Sequence, residues 1–454
     1  MVALLLIVYY AVNTRGSFRF HEIANYMNYN MLAEAMLSGQ LHLKEGMHPE
    51  RAKASDPSDP RLPFPFILDA IAFGGQYYFL QQPLPALFHA LCILVFGRPL
   101  PTGMAVVLST TACLGILGMI LWRMRETFFS GSPPWIFWFT WLSFGLSGAQ
   151  LYIVSRSVVY HETITFGIMF VLLGTLLFVY ATTSRRNVVL FMAMSGICFG
   201  AALACKVNLG LYPLCFFLCW AYFSIIEQSR TRVLISQSFY FLFPVGCFSV
   251  LLLGYNYLRF GAFFDFGRQH CGIGWPEFYE YCCLKGHFFR LDHIPQNLYN
   301  YFCSLPTLVH GRNFVFPRYG THIAAIGDVL TTREELVSLP VMMPALTLLA
   351  LIPFTARHMK RIGKLPLIVG AGLLSSLSMF IFFTFYVWAA GRFVYEFTPL
   401  LFIAIFCAVS VVWDNVRDHG VFRALAVGGL VLLFAANAFM GLVSAMNGWL
   451  QWPG

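Results

Sequence analysis

A chain of 454 residues that is 58% hydrophobic, 17% aromatic and only 11% charged cannot be an ordinary water-soluble domain, whose apolar share is about 45–50%. It reads as an all-α, multi-pass membrane protein, with residues 1–454 forming a single integral membrane domain. The formal charge of +9 does not point to nucleic acid, because the basic residues fall in short clusters between apolar runs, the pattern of membrane topology.

In chain order, Met1 to Val12 is apolar but shorter than the roughly 20 residues of a full span, and it reads as the first crossing. Residues 14–82 form a polar first outer loop. Within it NYMNYNMLAEAMLSGQLHL places Met27, Leu32, Met36 and Leu37 near helical spacing, which predicts an amphipathic helix at the interface. The Pro/Ser/Asp-rich ERAKASDPSDPRLPFP that follows predicts a loop. Phe66 to Pro85, FILDAIAFGGQYYFLQQPLP, holds Asp69, a Gly74-Gly75 turn, Tyr77, Tyr78, Gln81, Gln82 and the prolines that open an apolar run. A carboxylate there, at the lip of a bilayer, is either a site or a turn-forming aspartate.

Pro83 to Phe96 is too short to cross and reads as a re-entrant or interfacial helix. Spans are expected near 103–122, 134–154, 163–181, 188–204, 209–226, 234–256, 340–355, 365–389, 397–413 and 422–445, which with the first segment makes about 11 crossings. A second large outer loop covers residues 257–339. Arg123/Arg125, Arg185/Arg186, Arg230/Arg232, Arg357/Lys360/Arg361/Lys364 and Arg417/Arg423 fall in alternate connections and belong in the cytoplasm by the positive-inside rule. The opposite side then carries Glu22, Asp69, His161-Glu162, Lys206, Arg259 with Asp265, and Arg392 with Glu396.

Ionisable groups at span ends are functional candidates whose partners should be sought. Each also has a plain structural reading. Arg392 and Glu396 are spaced for a local ion pair, Lys206 for snorkelling, and Glu162 for the helix dipole. As chemistry, a carboxylate at the membrane surface serves as general base toward a hydroxyl. Lys and Arg bind a lipid-linked phosphate, and Tyr77, Tyr78, Trp275 and Tyr279 offer faces for a sugar. Together they describe a transferase using a polyprenyl-phosphate sugar and a lipid, glycan or protein acceptor. Asp69 is the expected catalytic acid and Glu22 the second. Glu162 and His161 share the base role or position the acceptor. Lys206, Arg259 and Arg392, with Tyr77, Tyr78 and Gln82, hold the donor, and Glu396 and Asp265 complete the set.

No P-loop, GxGxxG or HExxH is present. No cofactor is demanded, although His21-Glu22 and His161-Glu162 leave a divalent metal open. Cys271, Cys282, Cys283 and Cys303 lie in the second outer loop, where an oxidising compartment would permit pairing. A transporter or lipid-linked-sugar flippase is a rival reading. It expects midplane polar residues and repeats, whereas these charges sit at span ends. A non-catalytic membrane protein of the same fold is a third.

The chain resembles the polytopic GT-C class of glycosyltransferases. It is most similar to bacterial GT-C-like membrane proteins, through Asp69, Gly75, Tyr77, Tyr78, Pro83 and Pro85, then Tyr160-His161-Glu162, YNYLRFGAFFDFG from Tyr255 to Gly267, and RFVYEF from Arg392 to Phe397. The resemblance covers residues from about 25 to 400 and lies in the order of loose motifs. It implies an inverting transferase with a lipid-phosphate donor, in a bacterial inner membrane, with its active site facing the periplasm. The chain departs from the aminoarabinose and protein O-mannosyl transferases in two places. The position fifteen residues before Gly39 is Ala24, with Glu22 the nearest acid. Gln81-Gln82 stands where the aminoarabinose type has Glu-Lys.

Overall fold

The computed structural model describes residues 1–20, 28–156, 158–184, 186–228, 231–272, 274–310, 315–326 and 328–450. Glu22, with its neighbour His21 and the helix residue Met27, lies outside them.

The long apolar runs form helices because backbone polar groups in lipid must be satisfied within the segment. The first is α1, Val2–Asn13. In the first loop Asn28 caps α2, Tyr29–Leu37, by accepting from the Met31 amide at 3.2 Å. Next come α3, Leu84–Phe96, and α4, Thr102–Phe128. Then follow α5, Pro134–Gly145, and α6, Gly148–Val154. The central pair is α7, Val159–Thr183, and α8, Val188–Cys205. After them come α9, Leu211–Ile226, and α10, Thr231–Phe260. The second large loop, after α10, contains α11, Ile294–Phe302. The chain closes with α12, Leu365–Phe385, α13, Gly391–Phe397, α14, Pro399–Val416, and α15, Gly420–Leu450.

Among the described residues eight helices are long and apolar enough to cross a membrane. Helix α3 is not one of them. Its 13 residues reach about 20 Å against a hydrocarbon core of about 30 Å. Its Leu91, Leu94, Val95 and Phe96 are exposed while His89 and Ala86 are buried.

Two expected spans are interrupted. Residues 134–154 break at Leu146-Ser147, where the Ser147 hydroxyl caps α6 and Leu146 presents its carbonyl to α15; a Cβ at Gly441 would lie 2.1 Å from that oxygen. The stretch 340–355 is divided among Leu339–Met342, a 3-10 turn at Pro344–Leu351 and Ile352–Met359. Pro344 and Pro353 each withhold an amide hydrogen from the helical ladder.

Helix α7 packs against α4 and α8, and α10 lies along α8. Small residues permit the close approach: a Cβ at Gly196 of α8 would meet the Phe241 carbonyl of α10 at 2.1 Å. Phe178, Phe199, Phe216 and Phe241 form an edge-to-face cluster where these helices meet α9.

Small β elements appear in the connections. Strands β1, Ile71–Phe73, and β2, Gln76–Tyr78, pair across Gly74 and Gly75, whose φ of 57° and 75° is the left-handed geometry a two-residue hairpin needs. Strands β3, His322–Ile326, and β4, Val329–Glu334, form a second hairpin, and β5, Trp388–Ala390, adds to β4 in parallel with Glu334 opposite Ala390. The first loop is organised by Arg51, which is fully buried. Its guanidinium donates to the carbonyls of Pro57, Asp59, Leu62 and Phe64 at 2.7 to 3.2 Å.

The first loop and the loop that follows α10 are joined by main-chain bonds. Asp69 N–H donates to the Gly272 carbonyl at 3.0 Å, Gly272 N–H donates back to Ala70 at 2.9 Å, and Ile71 bridges to Cys271. Cys271, Cys282, Cys283 and Cys303 are all free thiols. Packing accounts for three of them, since Cys271, Cys282 and Cys283 are buried with Phe278, Tyr279 and Val387.

Candidate functional site

The junction of the two loops roofs a cavity of about 920 Å³ above the ends of α6, α7, α8 and α12. Its walls carry Asp69, Gln81 and Gln82 from the first loop, Asp265, Arg268 and Trp275 from the second, and Arg156, Lys206, Glu334, Glu335 and Arg392 from the helix ends and β4. Phe264, Phe288, Phe289, Phe382, Tyr386 and Trp388 give it an aromatic side.

Asp69 has a φ of 61°, a left-handed backbone that Asp adopts more readily than most residues. The Gly272 bond and the hairpin hold it there.

Four cations reach the cavity, and three are matched by acids. Arg156 Nη1 donates to Glu335 Oε2 at 2.5 Å, and Tyr152 OH donates to the same oxygen. Arg392 Nη1 donates to Glu334 Oε1 at 2.7 Å and its guanidinium covers the Tyr160 ring at 5.0 Å. Lys206 Nζ donates to Glu396 Oε1, with Asn208 Nδ2 on Oε2 at 2.8 Å. The local Arg392–Glu396 pair suggested by their spacing does not form, because each has a closer partner from another element. The fourth cation, Arg268, lies against the rings of Phe288 and Tyr386 at 6.0 and 5.8 Å; no ion pair to it occurs among the described residues.

Two adjacent acids behave differently. Burial works against ionising both Glu334 and Glu335, yet the Arg392 guanidinium outweighs it and holds the Glu334 carboxyl below the usual range. For Glu335 burial wins over Arg156, and the carboxyl is pushed up. Glu335 also has a φ of 50°, a strained setting for a long side chain. Its carbonyl lies so near α13 that a Cβ at Gly391 would meet it at 2.6 Å.

Of the residues singled out from sequence, the cavity gathers Asp69, Gln82, Lys206, Asp265 and Arg392, with Trp275. Of the other expected site residues, those described lie elsewhere. His161 and Glu162 are fully buried one turn inside α7, where His161 Nδ1 donates to the Ile153 carbonyl at 2.8 Å and Glu162 pairs with His89. Arg259 is buried, donating to the Phe79 carbonyl at 2.9 Å and Asn256 Oδ1 at 2.7 Å. Tyr77 is in the first-loop core, Tyr78 stands edge-on to Phe260 at 5.5 Å, and Tyr279 OH donates to Asp56. Glu396 is buried beneath Lys206.

Arg156, Arg268, Glu334 and Glu335 were not foreseen. The Asp265-Phe-Gly-Arg turn, closed by Gly267 N–H on Asp265 Oδ1 at 2.7 Å, and the Arg-Glu-Glu run at the end of β4 are the sequence signals that mark the last three; neither contains Arg156.

A divalent metal needs several convergent oxygen or imidazole ligands. Among the described residues no group of three or more His, Cys, Asp or Glu is arranged to hold one, and Glu334 and Glu335 are each engaged by a guanidinium.

The bundle of apolar helices, roofed by two interlocked loops with a charged cavity at their junction, has the GT-C fold. ArnT from Cupriavidus metallidurans in the apo state superposes with a TM-score of 0.50 at 12% identity, over 98% of this chain and 75% of that one. The same protein bound to undecaprenyl phosphate gives 0.49 at 13% identity, again over 98% and 75%. The Archaeoglobus fulgidus oligosaccharyltransferase in the apo form gives 0.49 at 12% identity over 98% of this chain, which spans 56% of that longer protein. No family model and no curated protein sequence matches.

Proposed function

We propose that the protein is a membrane glycosyltransferase that moves a sugar from a polyprenyl-phosphate donor to an acceptor at the outer face of the membrane. The observation that carries this reading is the cavity itself, whose lining holds both Asp69 and a guanidinium, Arg268, that forms no ion pair among the described residues. ArnT, solved with undecaprenyl phosphate, provides a molecule of the same chemistry.

In this reading Arg268, with Lys206 beside it, neutralises the donor phosphate, and Arg's planar fork suits its oxygens. The aromatic side formed by Phe264, Phe289 and Phe382 takes the first isoprenoid units. Asp69 accepts the proton of the acceptor nucleophile as that atom attacks the anomeric carbon. The carbon–oxygen bond to phosphate breaks on the opposite face, so the configuration inverts and polyprenyl phosphate leaves with the bonding pair. The Glu334–Arg392 and Glu335–Arg156 pairs hold the cavity wall. No step is routed through a metal.

The test is turnover by purified protein in nanodiscs with a panel of polyprenyl-phosphate and polyprenyl-diphosphate sugars, wild type against Asp69→Asn. Release of the free lipid phosphate that the variant abolishes supports the reading. Donor binding without release by wild type supports a lipid-carrier flippase, and no binding of any donor overturns the assignment.

A further inference from the structure

Gln82 occupies an unusual place on the cavity wall. Its main-chain carbonyl accepts from Tyr29 OH at 3.2 Å, and that hydroxyl also meets Thr163 Oγ1 of α7 at 2.9 Å, so the residue is tied to the first turns of α7. The side chain is only 6% exposed and lines the cavity, yet its Oε1 has no hydrogen-bond partner among the described residues. A buried amide oxygen without a donor is rare and needs an explanation.

A complementary group lines the same cavity. Arg392 gives Nη1 to Glu334 at 2.7 Å, and its Nε–H is buried without an acceptor among the described residues. It stacks on Tyr160 at 5.0 Å, three residues before Thr163 on the same helix. One acceptor and one donor, both buried and both unmatched, are thus fixed to the start of α7.

The chemistry of these two groups selects a ligand. Ionised phosphate oxygens only accept hydrogen bonds, so they cannot satisfy Gln82 Oε1. A hydroxyl both donates and accepts, and a sugar ring presents several side by side. We propose that Gln82 is a specificity-determining residue for the transferred sugar, its Oε1 accepting from one ring hydroxyl while Arg392 Nε–H donates to a neighbouring oxygen. The proposal rests on the glycosyltransferase reading above and assigns Gln82 to the sugar, not to the phosphate.

The experiment compares wild type, Gln82→Met and Gln82→Glu in nanodiscs with polyprenyl-phosphate hexoses and pentoses in which each ring hydroxyl in turn is replaced by hydrogen or by fluorine. Wild type is expected to lose about 10- to 100-fold in kcat/KM at one ring position for both replacements, since neither donates a hydrogen bond. Gln82→Met, similar in shape, is expected to lose a comparable factor on the parent sugar and to stop discriminating at that position. Gln82→Glu keeps an acceptor there and retains the discrimination.

If wild type turns over every modified sugar as well as its parent, the proposal fails whatever the variants do, and the enzymatic reading stands. Equal loss in Gln82→Glu and Gln82→Met also overturns it, because the amide would then be acting as a donor. Wild type that turns over no member of the panel removes the glycosyltransferase reading itself, and the proposal with it.

Discussion

His89 of α3 and Glu162 of α7 meet inside the bundle, both side chains closed to solvent. The other ring nitrogen, Nδ1, lies 2.6 Å from Asn30 Oδ1, and the Asn30 amide nitrogen is occupied by the Leu100 carbonyl at 2.9 Å. The imidazole thus has an acceptor at each ring nitrogen. It also pins three helices together. His89→Ala or Glu162→Ala alone is expected to lower stability by about 3–5 kcal/mol, the cost of leaving one partner of a buried pair uncompensated. The double replacement His89→Leu with Glu162→Leu should cost clearly less than the sum. Thermal unfolding in nanodiscs checks this through a double-mutant cycle, and strict additivity would show that the two side chains do not interact.

Arg51 organises residues 57–64 of the first loop. Its guanidinium serves four main-chain carbonyls between Pro57 and Phe64. Arg51→Met should free the segment from Pro49 to Phe64 at a cost of about 3 kcal/mol or more, since hydrogen bonds from a charged donor are each worth about 1.5–3 kcal/mol. Arg51→Lys is expected to rescue little, because a point charge cannot match the planar fork. Limited proteolysis of intact membrane protein reads the outcome. Unchanged cleavage within the loop would contradict the assigned role.

What could be read from sequence follows the physics of each feature. Lipid imposes length and apolarity, so Thr102–Phe128, Val159–Thr183 and Leu365–Phe385 announce themselves. The break at Leu146-Ser147 is quieter, because it depends on Gly441 approaching from nearly three hundred residues away. The Gly74-Gly75 turn beside Asp69 was legible, and the residue lines the cavity. The spacing of Arg392 and Glu396 suggested a local pair, but Glu334 comes from 58 residues earlier in the chain and Lys206 from 190 residues before Glu396. Arg268 and the Glu334-Glu335 run stand in a polar loop, where a charge lining a cavity looks like one facing water. His161 and Glu162 opened a span at the expected edge, and helix packing carried them into the interior.

His293 gives the second large loop a defined response to pH. Its ring nitrogen Nδ1 donates to the Phe385 carbonyl at 2.8 Å, which leaves Nε2 to accept from Tyr281 OH at 3.0 Å. Burial keeps this imidazole below its ordinary pKa, and Arg290 adds to the effect. The unfolded loop therefore binds more protons than the folded one as pH falls below about 6.5, and its stability must fall with it. Amide exchange between Tyr281 and Phe302 is expected to accelerate relative to the helical bundle from pH 7.5 to 5.5. His293→Gln should flatten that dependence. A loop equally protected at both pH values in wild type would exclude His293 as the titrating group.

Arg268 tests the division of labour between donor binding and chemistry. It reaches the cavity behind a turn held by Asp265 and Gly267, resting on aromatic rings, so removing its charge leaves the helical bundle untouched. Arg268→Gln is expected to raise KM for the lipid-linked donor by about 10- to 100-fold, the range of losing one charge-assisted contact. Arg268→Lys should recover part of it. Asp69→Asn should instead lower kcat by about 10²- to 10⁴-fold with KM little changed, as expected for loss of a general base. Initial rates over a donor titration separate the two. If Arg268→Gln lowers kcat with KM unchanged, Arg268 acts on the transition state and the donor phosphate is held by other residues. If both variants raise KM alone, Asp69 binds substrate and the proton goes elsewhere.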